Sequence, residues 1–141
     1  MSEVDQIVEV LGGAKVLGKH IKHVDDLIAV SRRGLPARVI VALSDQLGLA
    51  RDEVGDYLLI SRRTRYRAER LKPSASDRAV RLARVIARAN KVLGNFDKAR
   101  GWLMHTNRAL GNVIPFSLLD TDLGAQAVLD VLGRIEHGSF S

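Results

Sequence analysis

Residues 51–67, RDEVGDYLLISRRTRYR, have the pattern of a helix-turn-helix. That motif requires a short helix, a tight turn, and a second helix whose first turns face base edges and phosphates. Val54 and Leu58 are spaced to pack inward, and Gly55 between them would allow another helix to approach closely. We therefore predict a first helix over 51–58 that is followed by a tight turn.

The second helix of this motif would follow Ser61, and its first turns are rich in arginine. Serine is a favoured N-cap, so we predict a recognition helix over about 61–71, with Ile60 as the buried turn residue. Arginine can bond guanine or clamp a phosphate, and threonine can reach a phosphate or a thymine methyl. The residues expected to contact DNA are Ser61, Arg62, Arg63, Thr64, Arg65 and Arg67.

A competing frame places the first helix at 37–47, the turn at Gly48 and the second helix at 51–58. Its turn glycine is better placed, because in the preferred frame Leu59 stands where many such motifs have glycine. Its second helix, however, would present three carboxylates to the phosphates of DNA, those of Asp52, Glu53 and Asp56. Charge repulsion therefore favours the preferred frame, with an atypical turn at Leu59.

Positive charge is concentrated in one band of the chain. Residues 61–91 hold eleven Lys or Arg against two Asp or Glu, whereas residues 1–60 and 101–141 are each mildly acidic. A localised basic band indicates a polyanionic partner better than a high isoelectric point does. The alternatives are a solvated helix face, an acidic protein partner or RNA, and part of the band could also pair with acidic neighbours.

The rest of the chain has the apolar spacing of helices, and no segment alternates over the length of a strand. The chain has 141 residues and is 46% hydrophobic, which is enough to bury a core. One long helix is expected to start at a cap on Ser74 or Ser76 and to reach Leu93. The absence of cysteine excludes disulfides and fits a cytoplasmic protein. No apolar run approaches the roughly 20 residues of a membrane span.

Catalytic and metal sites have little support in the sequence. His20-x-x-His23 lies beside Asp25 and Asp26, but no third ligand is specified. No set of His, Asp and Ser has a known catalytic spacing, and no glycine-rich loop precedes a helix. We therefore expect a binding protein with no catalytic residues, no metal and no cofactor.

A second pattern occupies the last forty residues, where Trp, Gly and Pro stand among leucines. It comprises Trp102-Leu103, Asn107, Ala109-Leu110-Gly111, Pro115, Leu118-Leu119-x-Thr121, Gly124, Val128, Leu132-Gly133-Arg134-Ile135 and Gly138. Together with Leu47-Gly48-Leu49 and Ile60-Ser61-Arg62-Arg63-Thr64, it resembles the Xre/MbcA/ParS family of type II antitoxins, in particular Xre antitoxins paired with RES-domain toxins. The resemblance covers almost the whole chain.

The resemblance implies an all-α fold in which a helix-turn-helix region, 1–73, is joined by a connecting helix, 74–94, to a small helical toxin-binding domain, 95–141. It further implies that the protein dimerises, and that it binds a RES toxin, an enzyme that consumes NAD, through the C-terminal domain and covers its active site. Such an antitoxin would also bind the promoter of its own operon, as a homodimer within a larger toxin–antitoxin complex. The alternative is a stand-alone dimeric helix-turn-helix regulator whose C-terminal half only dimerises.

Within the C-terminal pattern, apolar residues are expected in the core and polar or terminal residues at the surface. The expected core residues are Trp102, Leu110, Pro115, Leu118, Leu119, Val128, Leu132 and Ile135. The expected toxin-binding residues are Asn107, Arg108, Arg134, His137, Ser139 and Phe140. Phe140 lies beyond a helix stop with no core of its own to join, so it suits a partner pocket, although a frayed tail is the alternative.

Overall fold

The fold is known from a computed structural model, which describes residues 1–65, 67 and 69–138. Apart from isolated β-bridges, the regular elements of these residues are all helical, so the expected all-α fold is confirmed. The α-helices are α1 Glu3–Val10, α2 Gly13–Leu17, α3 Val24–Arg33, α4 Val39–Leu47, α5 Arg51–Tyr57, α6 Arg62–Arg65, α7 Pro73–Leu93, α8 Phe96–Met104 and α9 Asp122–Glu136. Two 3₁₀ turns, Arg108–Leu110 and Pro115–Leu118, precede α9.

The chain forms two compact units, Met1–Ala83 and Arg84–Ser141, and α7 contributes residues to both. Each unit has an apolar core made mainly of leucine and valine. The first core includes Leu11, Leu35, Leu43, Leu47, Leu58 and Leu82, and the second includes Leu103, Leu119, Val128 and Leu132. No described helix is both long enough and apolar enough to cross a lipid bilayer.

The long helix α7 begins earlier than the sequence analysis predicted. It starts at Pro73, where a proline suits the first turn because its missing N–H would have no helical partner there. Neither Ser74 nor Ser76 is the cap that we expected. The hydroxyl of Ser76 is fully buried and accepts a hydrogen bond from the backbone N–H of Leu35 at 2.8 Å. Ser76 therefore joins α7 to the chain that follows α3.

The recognition helix predicted over 61–71 is too long. Helix α6 ends at Arg65, and residues 69–71 instead run beside residues 35–37. The N–H of Leu71 donates to the carbonyl of Leu35 at 2.7 Å, and the N–H of Ala37 donates to the carbonyl of Glu69 at 2.9 Å. These bonds hold residues 69–71 in an extended bridge and stop the helix.

Side-chain caps begin the two main helices of the C-terminal unit. Asn95 accepts from the N–H of Lys98 at 2.9 Å, and Thr121 accepts from the N–H of Gly124 at 2.9 Å. Of the expected core residues, Pro115, Leu119, Val128 and Leu132 are buried, while Trp102, Leu110, Leu118 and Ile135 are half-buried. A Cβ on Gly124 would lie 1.8 Å from the carbonyl oxygen of Leu118, so this glycine is what allows α9 to start against the second 3₁₀ turn.

Candidate functional site

The turn between α5 and α6 keeps a left-handed residue although it has no glycine. Leu59 has φ +59°, and its side chain is 75% exposed. The N–H of Ile60 donates to the carbonyl of Gly55 at 3.1 Å and closes the turn. The expected atypical turn is therefore present, and the geometry that glycine usually provides is imposed on a leucine.

Ser61 directly precedes α6 and caps its first turn, as predicted from the sequence. The Ser61 hydroxyl accepts from the N–H of Thr64 at 3.2 Å and donates to the Thr64 hydroxyl at 2.7 Å. Arg62, Arg63 and Arg67 are exposed, and none of them has an ion-pair partner among the residues that the structure describes. Two exposed guanidinium groups, those of Arg62 and Arg63, therefore lie at the start of this short helix, and that of Arg67 lies just after its end.

Arg65 differs from the other arginines of this stretch because its side chain is only 3% exposed. Its guanidinium donates to Asp52 Oδ1 at 3.2 Å, to the carbonyl of Asp52 at 2.8 Å and to Asp56 Oδ1 at 3.0 Å. It also donates to the carbonyl of Ile60 in the turn. Arg65 thus joins α6 to α5, and the expectation that it lies on a DNA-facing surface does not fit this structure.

Gly55 provides the space that Arg65 occupies. A Cβ at this position would lie 2.5 Å from Arg65 Cζ, which is closer than real Cβ contacts allow. The sequence analysis assigned Gly55 to close helix approach, and the group that approaches is a guanidinium. The spacing of the two aspartates could have revealed this contact. Asp52 and Asp56 stand one helical turn apart with Gly55 between them, which leaves room for a cation to pair with both.

A cavity of about 190 Å³ opens between the start of α6 and the start of α7. Its polar lining is made of hydroxyl groups and cationic side chains. These belong to Ser61, Thr64, Arg70, Lys72 and Ser74. One guanidinium nitrogen of Arg70 already donates to the carbonyl of Gly34 at 3.0 Å, while Lys72 is exposed. Hydroxyls and an ammonium group at such a site can contact a phosphate.

In the C-terminal unit, Asn107 has a structural role. Its side chain accepts from the N–H of Ala109 at 2.9 Å, and its backbone bridges to Val113 with an N–H···O distance of 3.0 Å. The side chain of Arg108, which follows, is exposed. Among these two predicted toxin contacts, Arg108 is therefore the more accessible side chain.

The C-terminal end of α9 is tied to α7 within the same unit. Glu136 accepts from Arg88 at 3.0 Å and lies 3.9 Å from Lys91 Nζ. Arg134 and His137 flank this glutamate and are exposed. The other two predicted toxin-binding residues, Ser139 and Phe140, lie outside the described residues.

Two family models match the chain. One describes the antitoxin Xre-like helix-turn-helix domain and matches residues 26–84. The other describes the antitoxin Xre/MbcA/ParS C-terminal toxin-binding domain and matches residues 88–138. A curated protein named Antitoxin Xre from Photorhabdus laumondii is 34% identical over 124 residues, which span 82% of this chain and 81% of that protein. The chain belongs to the Xre antitoxin family.

Two further Xre antitoxins are similar to this family member. The one from Yersinia enterocolitica is 41% identical over 73 residues, or 51% of this chain and 49% of that protein. The one from Pseudomonas putida is 30% identical over 108 residues, or 74% of this chain and 67% of that protein. The resemblance inferred from the two sequence patterns is thereby confirmed for both halves of the chain.

The toxin-binding domain of this Xre-family antitoxin also exposes apolar side chains that the sequence analysis did not select. Leu123 is 86% exposed in the first turn of α9, and Val113 and Ile114 are exposed between the two 3₁₀ turns. Helical periodicity could have identified Leu123, because it falls on the side of α9 opposite Val128 and Ile135. Large exposed apolar side chains in a domain of this class are candidates for partner contact.

Proposed function

We propose that this chain is the antitoxin of a type II toxin–antitoxin pair whose toxin is a RES-domain enzyme that degrades NAD. In this proposal the C-terminal domain covers the toxin's active site, and the α5–α6 motif binds the promoter of the antitoxin's own operon. The chain acts by binding alone, as a homodimer within a larger complex in the cytoplasm. The observation that carries the proposal is the match of residues 88–138 to a toxin-binding domain.

The position of the predicted toxin contacts supports this mechanism. Arg134 and His137 are exposed at the end of α9. The pairing of Glu136 with Arg88 fixes that end of the helix to its own unit. Because the end of α9 is held, the exposed side chains of Arg134 and His137 need less ordering when they contact a toxin.

Neutralisation is tested by producing the chain together with the RES toxin and measuring cellular NAD. We expect the full chain to preserve NAD and to purify in a stable complex with the toxin. Truncation after Glu136 should impair protection more than it impairs folding, which is followed by circular dichroism. The variant R62A/R63A is the control, because its substitutions lie in the other unit. Loss of NAD in the presence of the full chain would contradict the proposal and favour the stand-alone regulator.

DNA binding is supported by the exposed cations on and just after α6. Arg62, Arg63 and Arg67 are accessible, and Lys72 lines the hydroxyl-rich cavity beside them. In a helix-turn-helix these positions face base edges and the phosphates that flank them. Each phosphate contact releases counterions, so the logarithm of the binding constant should fall with the logarithm of salt concentration by about 0.9 per contact.

The DNA interaction is tested by fluorescence anisotropy with the operon's own promoter over a range of salt concentrations. If both residues contact phosphates, R62A/R63A should weaken binding and reduce the salt slope by about 1.8. The matched control is K15A/K19A, which removes two exposed cations from the same unit but away from the motif. Equal effects of the two double variants would reduce the interaction to general electrostatic attraction. No effect of R62A/R63A would place the DNA contact elsewhere.

A further inference from the structure

Helix α3 carries an apolar pair that faces away from its own core. Leu27 and Val30 are buried, whereas Val24 is 56% exposed and Ile28 is 42% exposed. Residues four apart lie on the same face of a helix, so Val24 and Ile28 form one apolar stripe. Single exposed apolar residues are common on proteins, but two branched side chains in register leave a face that a second helix could cover.

The charges of α3 are separated along the helix. Acidic Asp25 and Asp26 stand in the first turn, and basic Arg32 and Arg33 stand in the last turn. Asp26 is already used, because it accepts from the backbone N–H groups of His23 and Lys22 at 3.1 and 3.2 Å. Asp25 and Arg32 are exposed, and neither has an ion-pair partner among the described residues.

Asp25 and Arg32 are placed to act with the apolar stripe. They are seven residues apart, which is nearly two helical turns, so they project from the same side of α3. Both flank the stripe, since Asp25 follows Val24 and Arg32 lies one turn beyond Ile28. Acidic residues at the start of a helix and basic residues at its end interact favourably with the helix dipole. The same arrangement makes the helix complementary in charge to an antiparallel copy of itself.

We propose that α3 is the homodimer interface of this antitoxin and that it pairs in antiparallel fashion with α3 of a second copy. A two-fold axis near Ile28 would bring the two isoleucines together. The same axis would place Asp25 of each copy opposite Arg32 of the other, so that every contact occurs twice. This inference rests on the homodimer of the proposed function, and it assigns that dimer to a surface that neither family model identifies.

The interface is tested by sedimentation velocity over a concentration series of the full chain. Because Ile28 of both copies lies at the axis, I28D should raise the dimer dissociation constant by at least about 100-fold. The matched control is L59D, which also places an aspartate at an exposed apolar position of the same unit but outside α3. It should leave the dissociation constant unchanged. Circular dichroism establishes that each variant is folded.

Charge exchange provides a second test that does not depend on the apolar stripe. D25R and R32D should each weaken the dimer by about 10-fold, because two like-charged pairs replace two attractive ones. The double variant D25R/R32D should restore the wild-type dissociation constant. Wild-type association in I28D, or no restoration in the double variant, would overturn the assignment of the interface to α3. A wild-type chain that is monomeric throughout the series would overturn the homodimer itself, and the toxin and promoter experiments would still stand.

Discussion

Replacing Arg65 tests whether this arginine holds the helix-turn-helix together. Its guanidinium is buried and bonds two carboxylates and two backbone carbonyls, those of Asp52, Asp56 and Ile60. The substitution R65A removes all these donors at once and leaves a space beside Gly55. We expect a less stable N-terminal unit and a poorly positioned α6.

The size of the effect follows from how exposed each partner is. The carboxylates of Asp52 and Asp56 are 47% and 63% exposed, so water can solvate them after the substitution and each pair contributes about 0–1 kcal/mol. The two carbonyls lose a charged donor, which is worth about 1.5–3 kcal/mol each before the cost of burying the guanidinium is subtracted. We therefore expect R65A to lower the free energy of unfolding by about 3 kcal/mol.

Urea unfolding of R65A, R65K and R62A measures this difference. R65K keeps the charge but loses the planar fork, so it should fall between R65A and the wild type. R62A is the control, because Arg62 is exposed on the same short helix, and it should lie within about 0.5 kcal/mol of the wild type. Promoter binding by R65A should also weaken, since α6 would no longer be fixed against α5.

A double-mutant cycle with Gly55 separates this contact from general destabilisation. In the wild type, the Cβ of G55A would lie 2.5 Å from Arg65 Cζ and displace the guanidinium. In the R65A background that space is empty, and alanine should stabilise the helix by about 0.5–1 kcal/mol relative to glycine. We expect a coupling energy of about 2 kcal/mol. Additive effects, or an R65A variant as stable as R62A, would refute the reasoning.

The remaining predictions concern local backbone geometry and acid sensitivity. L59G should raise the free energy of unfolding by about 0.5–1 kcal/mol because the turn requires positive φ at this position. N112G, at φ +62°, should change the free energy of unfolding less, because asparagine tolerates this backbone region better than leucine does. G124A should destabilise the C-terminal unit and reduce co-purification with the toxin, while G133A, with open space at its Cβ, should not. Backbone N–H groups hold the pKa of Asp26 below its usual value of 3.8. The stability that these hydrogen bonds add to the fold is therefore present above the usual pKa, and it is lost as the pH falls through the lowered pKa of the folded state. D26N should therefore lower the Tm near neutral pH and reduce its acid dependence, and equal pH dependence in both proteins would contradict this account.

Most helices could be predicted because the signals that start and stop them are local. The caps at Asn95 and Thr121 each bond an N–H three residues later, and Gly48 ends α4 with φ +66°. Such contacts join residues that are already close in the chain, so their spacing in the sequence is sufficient to predict them.

The errors occurred where the deciding partner is distant in the sequence. Ser76 has the composition of a cap, but it bonds Leu35, which is 41 residues away. The predicted recognition helix reaches residue 71 because nothing local stops it, whereas the actual stop is the pairing of 69–71 with 35–37. A helical pattern cannot reveal competition from a backbone segment that folds back from elsewhere.

Charge patterning has a different meaning in the folded chain than in the sequence. The carboxylates of Asp52 and Asp56 argued against placing α5 on DNA because they repel phosphate, and in the structure both form ion pairs with Arg65. Arg78 likewise bonds the carbonyl of Tyr57 and lies over its ring, with 5.0 Å from Cζ to the centroid. Part of the basic band therefore stabilises the N-terminal unit. The exposed cations of the proposed DNA-binding surface, Arg62, Arg63 and Arg67, lie on and just after α6. If they contact DNA, affinity should depend on the position of α6 more than on the net charge of the chain.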